Sequence, residues 1–562
     1  MRRVEGCLVP EDVKEVWILT FELAKVASVG GLGNAVYQFA KGVAEKGVRV
    51  KVIMPSHGRH LDHNMANFLG LKDMGIKAEG DRIGTDGNRY HYRIGFEQGR
   101  LDNFELVLVK GLDHDTGKIL DSWDVYSYVE EKASLFSRAM EALVPYAVST
   151  NQIPSLIHAN DWHSAIAGLR ARQLLEDRKV YVPLVFTVHL MTYRAFPWHY
   201  ASLDWSGIRD CPHYVWKVYK HEITSFREVW EGLRGAVEDV AIFESDAFSS
   251  VSWAYLRNVV LPRVGHWLEG KACVTYNSTD WDVNQVREFV RNRYGTDDRV
   301  EVRRRLLAEL PTLRAVPEDY MTGHMLWNSR HSLGIRDDWT YEPLNDGPLF
   351  VFDGRLVYQK GVDLLIRAFR EVVREVPDAR LLILAIPSGD YSLLYDLIQN
   401  ASAVRDNVRV IASKGISLDL MKAFIYSATA LVMPSRWEPF GISAIEAMAL
   451  GTPVIGYYVD GLTETVVDIR YSSSGTGILV SPQSVGELKD AMVTAAALSK
   501  AYEQDDRSLM NKAMTDVDWR RVRDNAVRRV DENFRLSVNS ERLLECYRKA
   551  LQMAYHRATS YL

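Results

Sequence analysis

Short apolar runs alternate with amphipathic stretches along most of the chain. VWILTF (16–21) has the unbroken hydrophobicity of a strand buried on both faces, and GLGNAVYQFAKGVAEKG (31–47) has the spacing of a helix after a glycine turn. VRVKVIMPS (48–56), SLIHAND (155–161), PLVFTVHL (183–190) and ACVTYNS (272–278) repeat the strand pattern. Apolar strands separated by helices indicate a parallel α/β sheet.

A second series starts near residue 348. LFVFDGRL precedes helix-patterned GVDLLIRAFREVVREV, and LLILAIP, VRVIASK, ALVMPS and PVIGYYV follow as further strands. Two such series predict two Rossmann-like halves, with ligands beyond the carboxyl ends of the strands and the natural site in a cleft between halves. Residues 80–110 alternate with period two between glycines and predict hairpins inserted in the first half. Residues 281–347 break the series: RVEVRRRLLAEL reads as a basic helix and TYEPLNDGP as a linker. The expected divisions are therefore 1–280, an inserted region 281–347, a second half 348–525, and C-terminal helices 526–562 that cross back to the first half.

Composition narrows the classes. The 562 residues are 47% hydrophobic and 25% charged, ordinary globular usage. Lys plus Arg is 68 against 73 Asp plus Glu, a net charge of −5, which argues against a nucleic-acid partner. The four cysteines are scattered with no Cys-x-x-Cys, the pattern of free thiols in a reducing compartment. No run approaches the ~18 apolar residues of a membrane span. The expectation is a soluble, cytoplasmic protein without membrane partners; a homo-oligomer stays open.

Four segments carry candidate chemistry. Gly30, Gly31 and Gly33, between a strand and a helix, let backbone amides approach an anion, and they equally suit a plain tight turn. Arg355 ends a strand and Lys360 precedes a helix, so both cations suit a pyrophosphate. Glu438 lies on the loop after ALVMPS, Gly441-Ile442-Ser443 at the following helix N-terminus, and Glu446 inside that helix. A carboxylate in an otherwise apolar helix asks for a partner, which a sugar hydroxyl supplies; two carboxylates in one cleft also suit acid/base hydrolysis. His158 to His163, with Asp161, and Phe186 to His189 are strand ends of the first half. His57, His60 and His63 have metal-like spacing, but no Cys or acidic cluster matches it, so no metal site is expected. Asp-x-Asp triplets at 113–115, 280–282 and 516–518 are expected by chance among 73 acidic residues.

Together these segments resemble the glycogen/starch synthase family of retaining GT-B glycosyltransferases. Val29-Gly30-Gly31-Leu32-Gly33 is similar to that family's Lys-x-Gly-Gly-Leu motif, with Ser28 at the lysine and Lys25 upstream. Asp161-Trp162-His163, Thr187-Val188-His189 and Asp246 to Ser252 resemble its first-domain strands. Gly354-Arg355-Leu356 with Gln359-Lys360-Gly361 resembles its phosphate-binding segment. Glu438-Pro439-Phe440-Gly441 through Glu446-Ala447-Met448 resembles its E-x7-E motif, followed by Gly451-Thr452-Pro453 and Gly461-Leu462-Thr463-Glu464. Gln285 to Arg291 resembles the inserted region of animal and fungal glycogen synthases, and the chain resembles an archaeal-type or intermediate member.

The resemblance implies an α/β GT-B fold of two Rossmann-like domains facing a deep interdomain cleft. It implies transfer of glucose from ADP- or UDP-glucose to the non-reducing end of an α-1,4-glucan with retention, and no cofactor beyond the donor substrate. Glu438, His189, Arg355 and Lys360 would be catalytic. Gly30, Gly31, Phe440, Gly441, Ile442, Ser443 and Glu446 would bind the donor, with weaker sugar contacts from Asp161 and Asn277. Attack on the front face, with the leaving phosphate taking the acceptor's proton, is the implied mechanism. Another GT-B transferase such as a disaccharide synthase, a nucleotide-sugar epimerase and an inactive glucan-binding protein are the rival expectations.

Overall fold

The computed structural model describes all residues except 5, 218, 219, 318, 412–415, 561 and 562. The chain divides into two compact units, Met1–Ser278 with Leu536–Leu562, and Thr279–Arg535.

The first unit is built on β1 (Glu15–Leu19), β2 (Arg49–Pro55), β3 (Lys72–Ile83), β4 (Arg89–Leu101), β5 (Phe104–Gly111), β6 (Leu156–Asn160), β7 (Leu184–Val188), β8 (Ala247–Ser250) and β9 (Ala272–Val274). They form one sheet in the order β9-β8-β7-β6-β1-β2-β5-β4-β3. Every residue of β1 is buried, as expected of a central strand covered on both faces. Helix α1 (Gly31–Glu45) turns Val36, Ala40 and Val43 into the core at helical spacing. The expected hairpins of 80–110 are part of this same sheet: β3, β4 and β5 pair antiparallel, and β5 joins β2 in parallel. Helix α2 (Trp162–Glu176) follows β6.

The second unit is an all-parallel sheet of β10 (Leu349–Leu356), β11 (Arg380–Pro387), β12 (Val408–Ile411), β13 (Ala430–Met433), β14 (Val454–Tyr457) and β15 (Gly477–Val480), in the order β12-β11-β10-β13-β14-β15. The 412–414 part of the VRVIASK expectation lies outside the described residues. Helix α3 (Val362–Glu375) buries Leu365, Phe369 and Val372, and helix α4 (Ile442–Ala449) follows β13.

Residues 281–347 lie within this second unit. The basic helix Arg299–Ala308 spends its cations internally: Arg303 pairs with Asp346 at 2.7 Å, and Arg299 donates to the Leu450 carbonyl at 2.7 Å and covers the Tyr426 ring. The 526–562 stretch is divided, the helix Trp519–Asn533 lying in the second unit and α5 (Leu536–Thr559) in the first.

Helix α5 corrects the expectation of four free thiols: Cys546 on it is bonded to Cys273 of β9, leaving Cys7 and Cys211 free. The partners are 273 residues apart in sequence, so spacing gave no sign of the pair. Arg557 of α5 also pairs with Asp246 at 2.9 Å, and the Tyr547 hydroxyl lies 2.8 Å from His158 Nδ1. Among the described residues no helix is long and apolar enough to cross a membrane.

Candidate functional site

In the second unit two strand-end loops interlock. After β10 the chain makes a 3₁₀ turn at Tyr358–Lys360 and passes through Gly361 at φ +64°. A Cβ on Gly361 would stand 2.0 Å from the Pro434 carbonyl oxygen, so only glycine lets this loop lie against the one that follows β13. Arg436 then fastens the two loops. Its amide donates to the Gln359 carbonyl at 2.8 Å, and its guanidinium grips Asp363 through two bonds of 3.0 and 2.7 Å. Arg436 is therefore committed to structure.

Lys360 and Glu438 meet where these loops cross. Lys360 Nζ donates to Glu438 Oε2 at 2.6 Å, and Ser435 Oγ donates to the same oxygen at 3.1 Å. The Glu438 amide donates to Asp460 at 3.3 Å; burial, with Glu438 as a like charge, raises the Asp460 carboxyl above its ordinary value. Gly441, at φ +95°, opens α4, and no side chain caps the first amides of that helix, Ile442 and Ser443 among them. Phe440 is buried, its ring set edge-on to Phe534 at 5.7 Å, so its side chain serves the core.

Three half-buried ionisable groups on β10 and α4 have no side-chain partner among the described residues. They are Arg355, Asp353 and Glu446. Burial pushes the Glu446 carboxyl up to about 8, helped by the like charges of Asp353 and Asp280; burial pushes Asp353 up to about 6 against the pull of Lys360. Asp353 is absent from the expectations drawn from sequence. Its only signal there is an acid in an otherwise apolar strand run, LFVFDGRL.

The first unit assembles its strand ends differently. Asp161 follows β6 at φ +57°, a region non-glycine residues seldom occupy, and Oδ1 accepts the His189 amide at 2.7 Å. Burial pushes this carboxyl up to about 8 and holds the His189 imidazole down at about 3, so His189 is neutral near pH 7. His189 Nε2 lies 2.9 Å from Asn160 Oδ1. Asn277 is buried, and its Oδ1 has no hydrogen-bond partner among the described residues. His57 is spent on the core, its Nε2 2.9 Å from the Phe21 carbonyl oxygen and its Nδ1 accepting from Lys132.

The glycine turn before α1 is already filled. Glu22, buried, accepts the Val29 amide at 2.7 Å and the Gly30 amide at 2.9 Å on one oxygen, and the Tyr126 hydroxyl on the other. The Gly30 amide thus serves an internal carboxylate, and Gly31 is the first residue of α1. Lys25 donates instead to Tyr37 at 2.7 Å and Asp102 at 2.9 Å.

The family described as starch synthase catalytic domain matches residues 15–272, and that described as glycosyl transferases group 1 matches 337–507. A glycogen synthase of Exiguobacterium sibiricum is 25% identical over 492 residues, covering 85% of this chain and 90% of that one. A glycogen synthase of Halorhodospira halophila is 26% identical over 501 residues, with coverage of 86% and 91%. Among solved structures, the catalytic domain of starch synthase IV from Arabidopsis thaliana, bound to ADP and acarbose, superposes with a TM-score of 0.64 at 18% identity, covering 96% of this chain and all of that one. A sucrose-phosphate synthase from Thermosynechococcus elongatus gives 0.53 at 18% identity over 95% of this chain and 98% of its own. The architecture is the α/β GT-B fold with two parallel-sheet Rossmann-like domains.

Proposed function

Given that the chain is a glycosyltransferase of the glycogen/starch synthase family, we propose that it moves glucose from ADP- or UDP-glucose to the non-reducing end of an α-1,4-glucan, with retention. The observation that carries this reading is Arg355, a half-buried residue at the end of β10 with no anionic partner among the described residues, on the segment that also holds Lys360. Two cations at one strand end, Arg355 and Lys360, suit the two phosphates of a diphosphate.

The reaction breaks the bond between the anomeric carbon and the diphosphate oxygen and forms one from that carbon to an acceptor hydroxyl oxygen. The acceptor's proton passes to the departing phosphate oxygen. Arg355, Lys360 and the Ile442 and Ser443 amides stabilise the charge that gathers on the leaving group. Lys360 exchanges its carboxylate partner for the diphosphate, which leaves Glu438 free to accept a donor sugar hydroxyl. Glu446 holds a ribose hydroxyl. Within the first unit, neutral His189, Asp161 and Asn277 Oδ1 are polar groups of the kind that bind a sugar. No side chain is assigned as a covalent nucleophile.

The test is a matrix of ADP- and UDP-glucose against glycogen, maltooligosaccharide and free glucose, run on wild type and Arg355→Ala. Glucan elongation by wild type and a hundredfold loss in Arg355→Ala are expected. Wild-type transfer to free glucose alone, conversion of donor without any acceptor, or no turnover at all would overturn the assignment.

A further inference from the structure

We propose that Asp353 is a specificity-determining residue of the donor site, taking one of two neighbouring ribose hydroxyls of the nucleotide while Glu446 takes the other. The inference rests on the reading of this site as one for a nucleotide sugar.

The argument starts from where Asp353 stands. It is the fifth residue of β10, after Leu349, Phe350, Val351 and Phe352, each at most 2% exposed. β10 lies between β11 and β13; β13 pairs only with Phe350 and Val351, so Asp353 is paired on the β11 side alone. An internal strand of this kind is built from apolar residues, because helices cover both faces. Asp353 is half-buried near the carboxyl-terminal end of the strand, where a ligand can reach its carboxyl. Nothing among the described residues donates to Asp353 or to Glu446. A position that breaks the local pattern with no compensating contact is where a ligand is expected.

The ligand's chemistry follows from the groups present. Strand alternation places Asp353 and Arg355 on one face of β10, with Arg355 nearer the carboxyl end. Glu446 comes from α4, the helix after β13, which is the neighbour of β10. Asp353 helps hold the Glu446 carboxyl protonated, and hydroxyls, which both donate and accept, suit an ionised and a protonated carboxyl alike. One polar molecule with an anionic end for Arg355 and two adjacent hydroxyl donors for the carboxyls meets all three needs. A ribonucleoside diphosphate has that layout, and its 2′-deoxy form lacks one of the donors.

The experiment is calorimetric binding of ADP and UDP, and of their 2′-deoxy and 3′-deoxy forms, to the full chain and its variants. Wild type should bind the ribose form at least tenfold more tightly than either deoxy form. Asp353→Val, which suits a strand, should lose discrimination at one hydroxyl, the ratio falling to twofold or less. Glu446→Ala, which removes both acceptor oxygens, should lose it at the other. Asp353→Asn keeps one acceptor and should retain an intermediate ratio, which guards against a folding artefact of the valine. An unchanged ratio in Asp353→Val, or equal binding of ribose and deoxy forms by wild type, overturns the assignment while leaving a nucleotide site in place. Failure of wild type to bind either nucleotide overturns the functional reading beneath it.

Discussion

Lys360→Ala separates two tasks performed by one ammonium group. In the ligand-free chain Lys360 Nζ donates to Glu438 Oε2 at 2.6 Å, with the two side chains 21% and 9% exposed. Without the lysine, Glu438 keeps the Ser435 Oγ donor at 3.1 Å, and the Glu438 amide still donates to the Asp460 carboxylate at 3.3 Å. Stripping the cation from a fully buried pair costs about 3–5 kcal/mol. Residual solvent contact of the lysine brings that to about 1–2 kcal/mol here. The kinetic loss is larger, because a fixed cation on a leaving diphosphate is worth about 3 kcal/mol, or about a hundredfold in rate. The assay pairs urea unfolding midpoints with initial rates of nucleotide release. Lys360→Ala should unfold at slightly lower urea and turn over about a hundredfold more slowly. Adding Glu438→Gln, which needs no cation, should restore the midpoint without restoring turnover. Lys360→Ala turnover within threefold of wild type would refute the argument.

Other positions give sharper structural tests. Asp161 and Glu446, both raised to about 8 from ordinary values of 3.8 and 4.5, stay protonated in the fold while the unfolded chain ionises. The unfolded chain then binds fewer protons, so stability falls as pH rises from about 4 to about 8 and levels off above. Glu446→Gln should gain urea resistance relative to wild type on going from about pH 5 to about pH 8.5; parallel curves would contradict the shift. Gly361→Ala meets the Pro434 carbonyl at 2.0 Å in a positive-φ position, so a loss of about 1–3 kcal/mol is expected, with activity falling as Lys360 is displaced. Cys546→Ser should cost about 2–4 kcal/mol in urea unfolding, and alkylation of the unfolded wild type should label two more thiols after reduction than before.

The sheet was legible in the sequence because its strands are unbroken apolar runs, and such runs have few alternatives when helices separate them. VWILTF became β1 and LFVFDGRL became β10 almost residue for residue. GILV (477–480), the edge strand β15, escaped notice because four residues carry no period. The hairpins of 80–110 were legible as hairpins, but their pairing to β2 is a long-range contact with no local trace. The same limit hid Cys273 with Cys546, and Arg557 with Asp246, 311 residues apart. Around the candidate site, glycine placement and charged strand ends pointed to Arg355, Lys360, Glu438 and Glu446. Asp353 and Glu22 were passed over because each reads as one acid among many until burial and partners are known.

Partner accounting also separates two turns that look alike in sequence. Val29-Gly30-Gly31 and Phe440-Gly441-Ile442 each bring glycine to the start of a helix, and each could hold an anion on its amides. In the first, Glu22 already occupies the Val29 and Gly30 amides, and Lys25 is held by Asp102 and Tyr37. The Ser28 hydroxyl also donates to Glu22 at 3.3 Å, so the turn's donors converge on one internal carboxylate. In the second, among the described residues, no side chain caps the helix start and Arg355 has no ion-pair partner. A half-buried cation without a protein partner is available to an external anion. The anion contacts of the proposed reaction therefore rest on the second unit, and a Gly30→Ala variant with unchanged donor binding would agree with the first turn's amides being held by Glu22.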